Sequence, residues 1–324
     1  MQSCVIIGAG IAGLTAARQL EQQGWTVTVL DKGRGLGGRL ATRRLAGGRA
    51  DHGAQVIRAT TATFNDWLTS PDGQTALSEW PVDPAGTGWV GRDGMNRVAK
   101  QLATGLTIET EQTVVAVQAD ETGWRIETES GQSFRGDALL CTIPAPQALT
   151  LFADKSNLLG PADQRVLQTI QYEPCLAVLV ALSRASQIPE PGGLWLDRPD
   201  IAWVADNQQK GISPDVPTAT ILASTAFSRA NLDGDLNAAG QQLLEQLTDW
   251  LPAETITSIQ VHRWRYSQVA QAHPDPHWRA DTELPLLFGG DGFGGTAPYD
   301  PHLNVERAFL SGRSMADWLL TQSA

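Results

Sequence analysis

The chain has 324 residues, of which 42% are hydrophobic and 18% are charged, so it is long enough to form two globular domains with sizeable cores. Its net charge of −11 makes nucleic acids and anionic membrane surfaces poor partners. No run of apolar residues approaches the roughly 20 that a membrane-spanning helix needs.

The first motif is a short apolar strand followed by a glycine turn, since residues 5–13 have the sequence V-I-I-G-A-G-I-A-G. Gly8 allows a tight turn out of the strand, and Gly10 lets the main chain approach a pyrophosphate. Gly13 lets the next element pack closely on the sheet. The spacing predicts a helix over residues 11–23, whose N-terminal N–H groups would bind phosphate.

A second strand is predicted over residues 27–30, and it ends at Asp31, 18 residues after Gly13. A carboxylate at this position can accept hydrogen bonds from ribose hydroxyls and would repel a 2′-phosphate. The strand, the glycine turn and the acid together predict a Rossmann-like dinucleotide site.

A second glycine-rich loop, R-G-L-G-G-R, follows directly at residues 34–39. Such a loop can wrap closely around a ligand. Arg34 and Arg39 could neutralise a pyrophosphate from the side opposite the helix, Arg39 through a bidentate contact. An NAD-dehydrogenase fingerprint does not need this loop, which therefore favours FAD as the dinucleotide.

The rest of the chain contains further predicted helices and strands. A helix is expected to begin within residues 64–68, and residues 71–91 are predicted to form a loop. The other predicted helices cover residues 94–102, 236–250 and 304–320, and the predicted strands cover residues 106–117, 123–128, 138–143, 172–183, 194–205, 218–227, 256–266 and 284–288. The strands between residues 172 and 266 are expected to form a mostly antiparallel sheet.

Three segments resemble the renalase family, within the wider group of amine-oxidase-like, FAD-dependent oxidoreductases that share the Gly-Gly-Arg loop. They are D-K-G-R-G-L-G-G-R-L-A-T-R at 31–43, A-D-H-G-A-Q at 50–55 and G-G-D-G-F-G-G at 289–295. The resemblance covers most of the chain. The Asp-His-Gly-Ala-Gln segment and the short length favour the renalase branch over polyamine oxidases and carotenoid desaturases.

The resemblance implies an α/β fold with a Rossmann-like FAD-binding domain assembled from three chain pieces. An inserted substrate domain would be built on the mostly antiparallel sheet. The implied FAD-binding domain comprises residues 1–58, 94–148 and 284–324, and the implied substrate domain comprises residues 59–93 and 149–283. The FAD would be non-covalent, and a cysteinyl link in the last third is excluded because no cysteine occurs there.

The activity that the resemblance implies is oxidation of the 2- and 6-dihydro isomers of NAD(P)H to NAD(P)⁺, with O₂ converted to hydrogen peroxide. The expected partners are therefore a small dinucleotide substrate and O₂. Loss of hydride makes the nicotinamide ring aromatic, so no proton has to be removed. The enzyme need only orient the donor and stabilise the reduced flavin.

The resemblance also implies specific FAD contacts at the carboxyl ends of the strands. Asp291 would bind the ribityl or phosphate region, and the main chain of Val114 would contact the adenine. The helix that begins near Asn304 would stabilise negative charge on the reduced flavin with its N-terminus. The full set of expected FAD contacts is Gly8, Gly10, Ile11, Ala12, Gly13, Asp31, Lys32, Arg34, Gly38, Arg39, His52, Gly53, Ala54, Gln55, Val114, Thr142, Asp291, Asn304 and Val305.

Residues 51–55 are expected to lie along the flavin ring. His52 titrates near neutral pH, so it could be a general base or a positioned structural group. We predict that His52, Gln55 and Trp264 contribute by positioning and stacking rather than by acid–base chemistry.

Two strand segments supply candidates for a substrate pocket, W-V-A-D-N-Q-Q-K at 203–210 and H-R-W-R-Y at 262–266. Strand alternation puts His262, Trp264 and Tyr266 on one face and the two arginines on the other. The aromatic face could stack a nicotinamide, and the arginines could hold a pyrophosphate. Ordinary sheet packing is the alternative. The candidate substrate residues are Trp203, Asn207, His262, Arg263 and Trp264.

Two other functional hypotheses stay open. One keeps the flavin but changes the substrate, as in an amine oxidase or a desaturase-like enzyme. The other is a protein that binds FAD or a dinucleotide without turnover. Cys4, Cys141 and Cys175 are far apart in apolar segments, so buried thiols are expected rather than disulfides or a metal site. A reducing, cytoplasmic location is expected on the same ground.

Overall fold

A computed structural model describes residues 2–83, 86–153, 158–295 and 304–322 of the chain. Over these residues the strands are β1 (Ser3–Ile7), β2 (Thr26–Leu30), β3 (Thr42–Leu45), β4 (Gly48–Asp51), β5 (Leu77–Asp83), β6 (Gly86–Gly91), β7 (Thr107–Glu109), β8 (Val114–Asp120), β9 (Gly123–Thr128), β10 (Ser133–Gly136), β11 (Ala138–Cys141), β12 (Gln171–Leu182), β13 (Gly193–Trp195), β14 (Ile201–Asp206), β15 (Thr218–Ala223), β16 (Ile256–Gln271), β17 (Trp278–Arg279) and β18 (Leu286–Phe288). The α-helices are α1 (Ile11–Gln22), α2 (Ala62–Thr69), α3 (Pro71–Ala76), α4 (Asn96–Leu102), α5 (Ala145–Ala153), α6 (Pro161–Thr169), α7 (Thr225–Asn231), α8 (Leu236–Leu244) and α9 (Asn304–Gln322). No helix among the described residues is long and apolar enough to span a membrane.

A mostly parallel sheet organises the first half of the fold, with the strand order β17-β18-β11-β1-β2-β7. Strand β1 pairs in parallel with β2 and β11, and β17 alone is antiparallel to its neighbour. Residues on both faces of the central strands are buried, as expected where helices cover a parallel sheet. The sheet joins strands that are distant in sequence and therefore brings their carboxyl ends to one edge.

Helices α1 and α9 pack against each other very closely on one face of this sheet. A Cβ atom on Gly312 of α9 would lie 2.3 Å from the carbonyl oxygen of Ala12 in α1, so only glycine fits there. This contact lies in the first turn of α1. It sets the N-terminal ends of both helices at the same end of the sheet.

The second layer is a five-stranded sheet with the order β13-β14-β15-β12-β16, in which every neighbouring pair is antiparallel. One face packs on α7 and α8 through a core that includes Leu176 and Leu243. On the other face, Leu179 and Ala181 pack against Leu45 and Ala50 of the β3–β4 hairpin. The hairpin thus joins the two sheets.

Several local predictions need correction. The predicted strand 106–117 consists of β7 in the parallel sheet and β8 in a three-stranded sheet, and the predicted helix 236–250 ends as an α-helix at Leu244. The segment 71–91 is not a loop, because Ser70 caps α3 through its side chain and β5 and β6 then form a hairpin. The predicted strand 194–205 consists of β13 and β14, and the predicted strand 218–227 ends at Ala223. Ser224 caps the following helix, α7, by accepting a hydrogen bond from Phe227 N–H.

The expected domain boundaries also differ from the packing. Residues 59–93 were assigned to the substrate domain, but Phe64 of α2 packs on Phe309 of α9 at 5.0 Å between ring centroids. Helix α5 spans the expected boundary at residue 148, and Phe152 beyond that boundary packs on Phe288 of the parallel sheet at 5.3 Å between ring centroids. Both segments bury apolar side chains against the first sheet, a feature that local sequence patterns do not report.

The α1–α9 contact generates a stability prediction. Alanine normally stabilises a helix relative to glycine by about 1 kcal/mol. We expect Gly312→Ala instead to lower the free energy of unfolding by about 1–3 kcal/mol, because the added Cβ overpacks the contact with Ala12. Urea denaturation of the purified protein measures the change.

Gly234→Ala is the matched control, since its Cβ would meet Asn231 only at 3.7 Å. It should leave the unfolding midpoint close to that of the unsubstituted protein. A stabilised Gly312→Ala variant would show that α1 and α9 can move apart at no cost.

Candidate functional site

A cavity of about 1050 Å³ lies between the carboxyl edge of the parallel sheet and the antiparallel sheet. Residues that end or follow β1, β2, β11 and β18 line one side, namely Ile7, Gly8, Leu30, Asp31, Thr142, Gly290 and Asp291. Strand β16 lines the opposite side. Ligands of open α/β sheets bind at this edge, where the strand order allows helix N-termini to face them.

The turn after β1 is held by contacts with the end of β11. Thr142 Oγ1 donates to the carbonyl oxygen of Gly8 at 3.1 Å. A Cβ on Gly8 would lie only 2.6 Å from Thr142 Oγ1. A Cβ on Gly13 would lie 2.0 Å from the carbonyl oxygen of Gly8. Gly13 therefore shapes the turn but does not line the cavity, whereas Gly10 and the first residues of α1 do.

Asp31 closes the end of β2 by accepting two main-chain hydrogen bonds. Its Oδ2 accepts from Ala9 N–H and its Oδ1 accepts from Gly33 N–H, both at 2.7 Å. These bonds fix the carboxylate at the cavity, beside the glycine turn. The arrangement suits a carboxylate that also accepts hydrogen bonds from ligand hydroxyls.

Arg39 and Asp291 form a bidentate ion pair inside the cavity. Arg39 Nη1 lies 2.6 Å from Asp291 Oδ2, and Arg39 Nη2 lies 2.7 Å from Asp291 Oδ1. Arg34, by contrast, has a side chain that is 90% exposed and lies 3.6 Å from Glu111, outside the cavity lining. The loop main chain explains the difference, because Glu111 N–H bonds to Gly33 and turns the loop toward solvent.

The segment 51–55 forms the wall next to Arg39. Ala54 N–H donates to the carbonyl oxygen of Arg39 at 2.9 Å, and a Cβ on Gly53 would lie 1.9 Å from that oxygen. Gln55 Nε2 donates to the carbonyls of Asp51 and Gly53. Gln55 Oε1 and His52 Nδ1 are buried without a hydrogen-bond partner, in residues that line the cavity. Both atoms have almost no accessible surface, so they lie inside the wall and not at its surface.

Three aromatic rings meet where this wall faces β16. The ring of Trp264 stacks on His52 with centroids 5.2 Å apart, and both rings lie near His262, with centroids at 4.5 Å. Trp264 Nε1 donates to the carbonyl oxygen of His52 at 2.6 Å, which locks the indole in place. The three side chains form a contiguous aromatic wall.

This aromatic wall is uncharged at neutral pH. Burial lowers the pKa of His52 to about 3, and His262 and Arg43 lower it further in the same direction. Burial, followed by Arg43, lowers the pKa of His262 to about 4. Arg43 Nη2 lies 3.3 Å from His262 Nδ1, which places the positive charge directly beside the ring.

Most of the predicted site residues line this cavity. Those that do are Gly8, Gly10, Ile11, Ala12, Asp31, Lys32, Gly38, Arg39, His52, Gly53, Ala54, Gln55, Val114, Thr142, Asp291, Asn304 and Val305, together with His262, Arg263 and Trp264. Gly13, Arg34, Trp203 and Asn207 do not. Arg263 borders the cavity, but its Nη1 donates to the carbonyl oxygen of Leu232 at 2.6 Å, which corrects its expected role toward a pyrophosphate.

The expectation that Trp203 and Asn207 contact the substrate is wrong, because both residues are completely buried. The Trp203 ring packs between Trp80 and Trp195, its centroid 4.6 Å from that of Trp195. Asn207 Nδ2 donates to Thr220 Oγ1 at 3.1 Å. Trp195 is the strand partner of Trp203 and covers it, so Trp195 faces the cavity with 47% of its surface exposed.

Sequence reasoning missed several lining residues. Tyr266 was placed on the aromatic face by strand alternation but was left out of the candidate substrate residues, although it lines the cavity. The others carry no motif, since they are ordinary strand, helix and loop residues that the fold turns toward the cavity. They include Leu40, Val56, Gln112, Gln147, Cys175, Trp195, Ala202, Leu222 and Gln268.

Comparison with known proteins gives two family matches. Residues 6–69 match an NAD(P)-binding Rossmann-like domain, and residues 72–320 match flavin-containing amine oxidoreductases. Renalase from Mus musculus is 24% identical over 325 residues, covering 90% of this chain and 93% of the relative. A neurosporene-forming phytoene desaturase from Cereibacter sphaeroides is 35% identical over 81 residues, which is 25% of this chain and 16% of the relative.

The overall architecture is also found among solved structures. A crystal structure from Exiguobacterium sp. 255-15, provisionally named a protoporphyrinogen oxidase, superposes with a TM-score of 0.74. The sequence identity is 14%, and the match covers 99% of both chains. At this identity the likeness shows the fold alone. It confirms the expectation of a Rossmann-like domain combined with an antiparallel sheet.

The depressed pKa of His52 generates a prediction about stability and pH. An unfolded histidine takes up a proton near pH 6.5, whereas His52 in the folded protein stays neutral down to about pH 3. The unfolded state binds more protons in this window, so the free energy of unfolding falls as the pH is lowered. His52→Gln should reduce the slope of the unfolding free energy against pH. The reduction corresponds to at most one proton, which is about 1.4 kcal/mol per pH unit.

Urea denaturation at pH 7 and pH 5 measures the slope. A variant that also carries His262→Gln should have its slope reduced by up to one further proton, because burial lowers the pKa of His262 as well. A slope unchanged by both substitutions would show that the two rings have the same pKa in the folded protein as in the unfolded chain.

Proposed function

The chain belongs to the flavin-containing amine oxidoreductase family, and we propose that it is an oxidase of isomeric dihydronicotinamides. Its substrates would be the 2- or 6-dihydro forms of NAD(P). Each turnover would remove a hydride from the nicotinamide ring, give NAD(P)⁺ and, with O₂ and a proton, produce hydrogen peroxide. The family establishes a FAD-dependent oxidoreductase, and the substrate is the proposal.

The residues of the cavity fit FAD. The glycine turn, the N-terminus of α1 and Arg39 suit a pyrophosphate, and Asp31 suits a ribose. His52, Gly53, Ala54 and Gln55 line the part of the cavity where a flavin ring would lie. When bound, FAD supplies the two-electron acceptor that no side chain of the protein can provide.

Attachment through Cys175, which lines the cavity, is unfavourable. Burial raises the pKa of its thiol to about 12, so the nucleophilic thiolate does not form at neutral pH. Cys4 and Cys141 are buried as well and do not line the cavity. We therefore propose that FAD is held without a covalent bond.

The charge of the cavity carries the substrate proposal. Its described lining contains the cations Lys32, Arg39, Arg263 and Arg265 but only the carboxylates Asp31 and Asp291. Asp31 accepts hydrogen bonds from the main chain, and Asp291 is paired with Arg39. A cationic amine would find no spare carboxylate in the described lining. Arg263 and Arg265 lie 3.7 and 2.5 Å from Asp233, so the proposal rests on this lack of a spare carboxylate and not on an excess of unpaired cations.

The aromatic wall of His52, His262 and Trp264 suits a nicotinamide ring. It is uncharged at neutral pH, its His52 and Trp264 rings are stacked at an interplanar angle of 17°, and the Trp264–His52 hydrogen bond holds them in place. The exposed indole of Trp195 lies in the same cavity and adds apolar surface. Stacking on such surfaces orients a ring without demanding proton transfer.

The chemistry matches the absence of a strong base in this wall. In a dihydropyridine the lone pair on the ring nitrogen expels the hydride, and the product is aromatic. A general base works best when its pKa is near the working pH. His52, with a pKa of about 3, is a poor proton acceptor at neutral pH. The side chains therefore bind and orient the substrate.

An amine oxidase or a desaturase-like enzyme is the alternative within the family. The partial match to a phytoene desaturase keeps this alternative open. The protein that binds FAD without turnover is set aside, because the family consists of oxidoreductases. Anaerobic bleaching of the flavin by 6-dihydro-NAD or by an amine separates the first two hypotheses.

Loss of the Arg39 guanidinium should weaken FAD binding more than loss of the Arg34 guanidinium. Arg39 lies inside the cavity, whereas Arg34 is 90% exposed and outside it. A charge-assisted contact contributes about 1.5–3 kcal/mol, so Arg39→Ala should raise the Kd for FAD roughly tenfold to a hundredfold. Arg34→Ala is the matched control, with a Kd near that of the unsubstituted protein. Equal losses in a fluorescence titration would contradict this geometry.

Stopped-flow reduction with 6-dihydro-NAD under anaerobic conditions tests the proposed reaction. His52→Ala should slow flavin reduction by less than about tenfold, because His52 accepts no proton in the proposed reaction. Loss of a general base would usually lower the rate by a factor of about 10²–10⁴. Trp264→Ala should mainly raise the substrate concentration needed for half-maximal reduction, because it removes the stacking surface.

The possible outcomes separate the mechanism from the substrate. A thousandfold slower His52→Ala variant with normal FAD content would reject the base-free mechanism. An unsubstituted protein whose flavin is reduced by neither dihydro isomer would reject the substrate and favour the amine oxidase or desaturase.

A further inference from the structure

A buried ion pair connects the β3–β4 hairpin to the antiparallel sheet close to the cavity. Lys210 Nζ lies 2.8 Å from Asp51 Oδ2, and both side chains have no exposed surface. Asp51 ends β4, whereas Lys210 lies in the turn between β14 and β15. The ammonium group also lies 5.3 Å from the centre of the Trp80 ring. Neither residue lines the cavity.

Both carboxylate oxygens and the carbonyl oxygen of Asp51 accept hydrogen bonds. Its Oδ1 accepts from Met95 N–H at 2.9 Å and from the Thr42 hydroxyl. Its carbonyl oxygen accepts from Gln55 Nε2 at 2.9 Å and from Thr220 Oγ1 at 2.8 Å. Asp51 therefore joins the hairpin, the start of α4, the cavity wall and the antiparallel sheet at one point.

A buried ion pair is weak evidence of added stability. The cost of desolvating two charges can equal or exceed what their attraction returns, and a well-packed apolar pair is often equally stable. Burial lowers the pKa of Lys210, and Asp51 counteracts this effect. Lys32 and Lys100 are exposed, as lysines usually are. A buried lysine at this position calls for a role other than stability.

The position of Asp51 indicates that role. It directly precedes residues 52–55, which line the cavity and contain the unpartnered His52 Nδ1 and Gln55 Oε1. We infer that Lys210 and Asp51 are positioning residues, through which the antiparallel sheet holds the 52–55 wall in the register that the flavin requires. Asp51 organises the hydrogen bonds of the wall, and Lys210 neutralises its buried charge.

Another contact between the same sheets provides a comparison. Ser213 Oγ accepts a hydrogen bond from Arg49 N–H at 3.0 Å, two residues before Asp51 on β4. It joins the same turn region of the antiparallel sheet to the same strand but makes no contact with residues 52–55. A general loosening between the sheets would follow from the loss of either contact, whereas displacement of the wall would follow only from loss of the ion pair.

The test compares Lys210→Met, Asp51→Asn, the double variant and Ser213→Ala. Each holoprotein is measured by its Kd for FAD, by the visible circular dichroism of the bound flavin and by its unfolding midpoint in urea. Each single substitution in the pair should raise the Kd about tenfold or more and alter the flavin dichroism, because it leaves a buried charge unpaired.

The double variant should recover much of the unfolding midpoint, because no buried charge is left unpaired, but it should keep a raised Kd, because the antiparallel sheet is still disconnected from the wall. Ser213→Ala should lower only the unfolding midpoint. Unchanged Kd and dichroism in Lys210→Met would overturn the inference, as would a Ser213→Ala variant that matches it.

If neither single variant folds, a double variant that folds but binds FAD at least about tenfold more weakly supports the inference, and one that binds FAD with the unsubstituted Kd rejects it. These readouts concern FAD and not the dihydronicotinamide. A wrong substrate proposal would therefore leave them unchanged.

Discussion

The cavity depends on main-chain segments that approach each other more closely than a Cβ atom permits. Gly13 lies against the carbonyl of Gly8, Gly53 against that of Arg39, and Gly312 against that of Ala12. Each approach brings a different part of the chain to the same end of the parallel sheet. The glycine turn, the arginine loop, the 52–55 wall and the N-termini of α1 and α9 consequently share one cavity. Main-chain N–H groups and fixed side chains then face a ligand at little entropic cost.

The two ends of this cavity have different electrostatic character. Near the glycine turn, Arg39, Asp31 and Asp291 hold charges in hydrogen-bonded positions, which suits phosphates and ribose hydroxyls. At the aromatic wall, burial keeps His52 and His262 neutral, so the surface offers stacking without charge. A dinucleotide cofactor and an uncharged, electron-rich ring therefore suit neighbouring parts of one cavity.

Prediction from the sequence succeeded where the chemistry is local. The glycine spacing and Asp31 lie within one strand–helix–strand unit, so the sequence separation alone determines their geometry. It failed for Arg34, because the direction of a loop side chain depends on a distant contact with Glu111. It also failed for Trp203, since strand alternation does not reveal that a neighbouring strand places Trp195 over it.

The sequence by itself determined the dinucleotide-binding half of this protein and its family, because motifs such as residues 34–39 encode contacts between chain neighbours. Only the tertiary structure decided which residues of the antiparallel sheet face the cavity. It also decided that His52 is neutral and that Lys210 pairs with Asp51 across 159 positions. Burial and long-range pairing create these properties, and neither is present in a local pattern of residues.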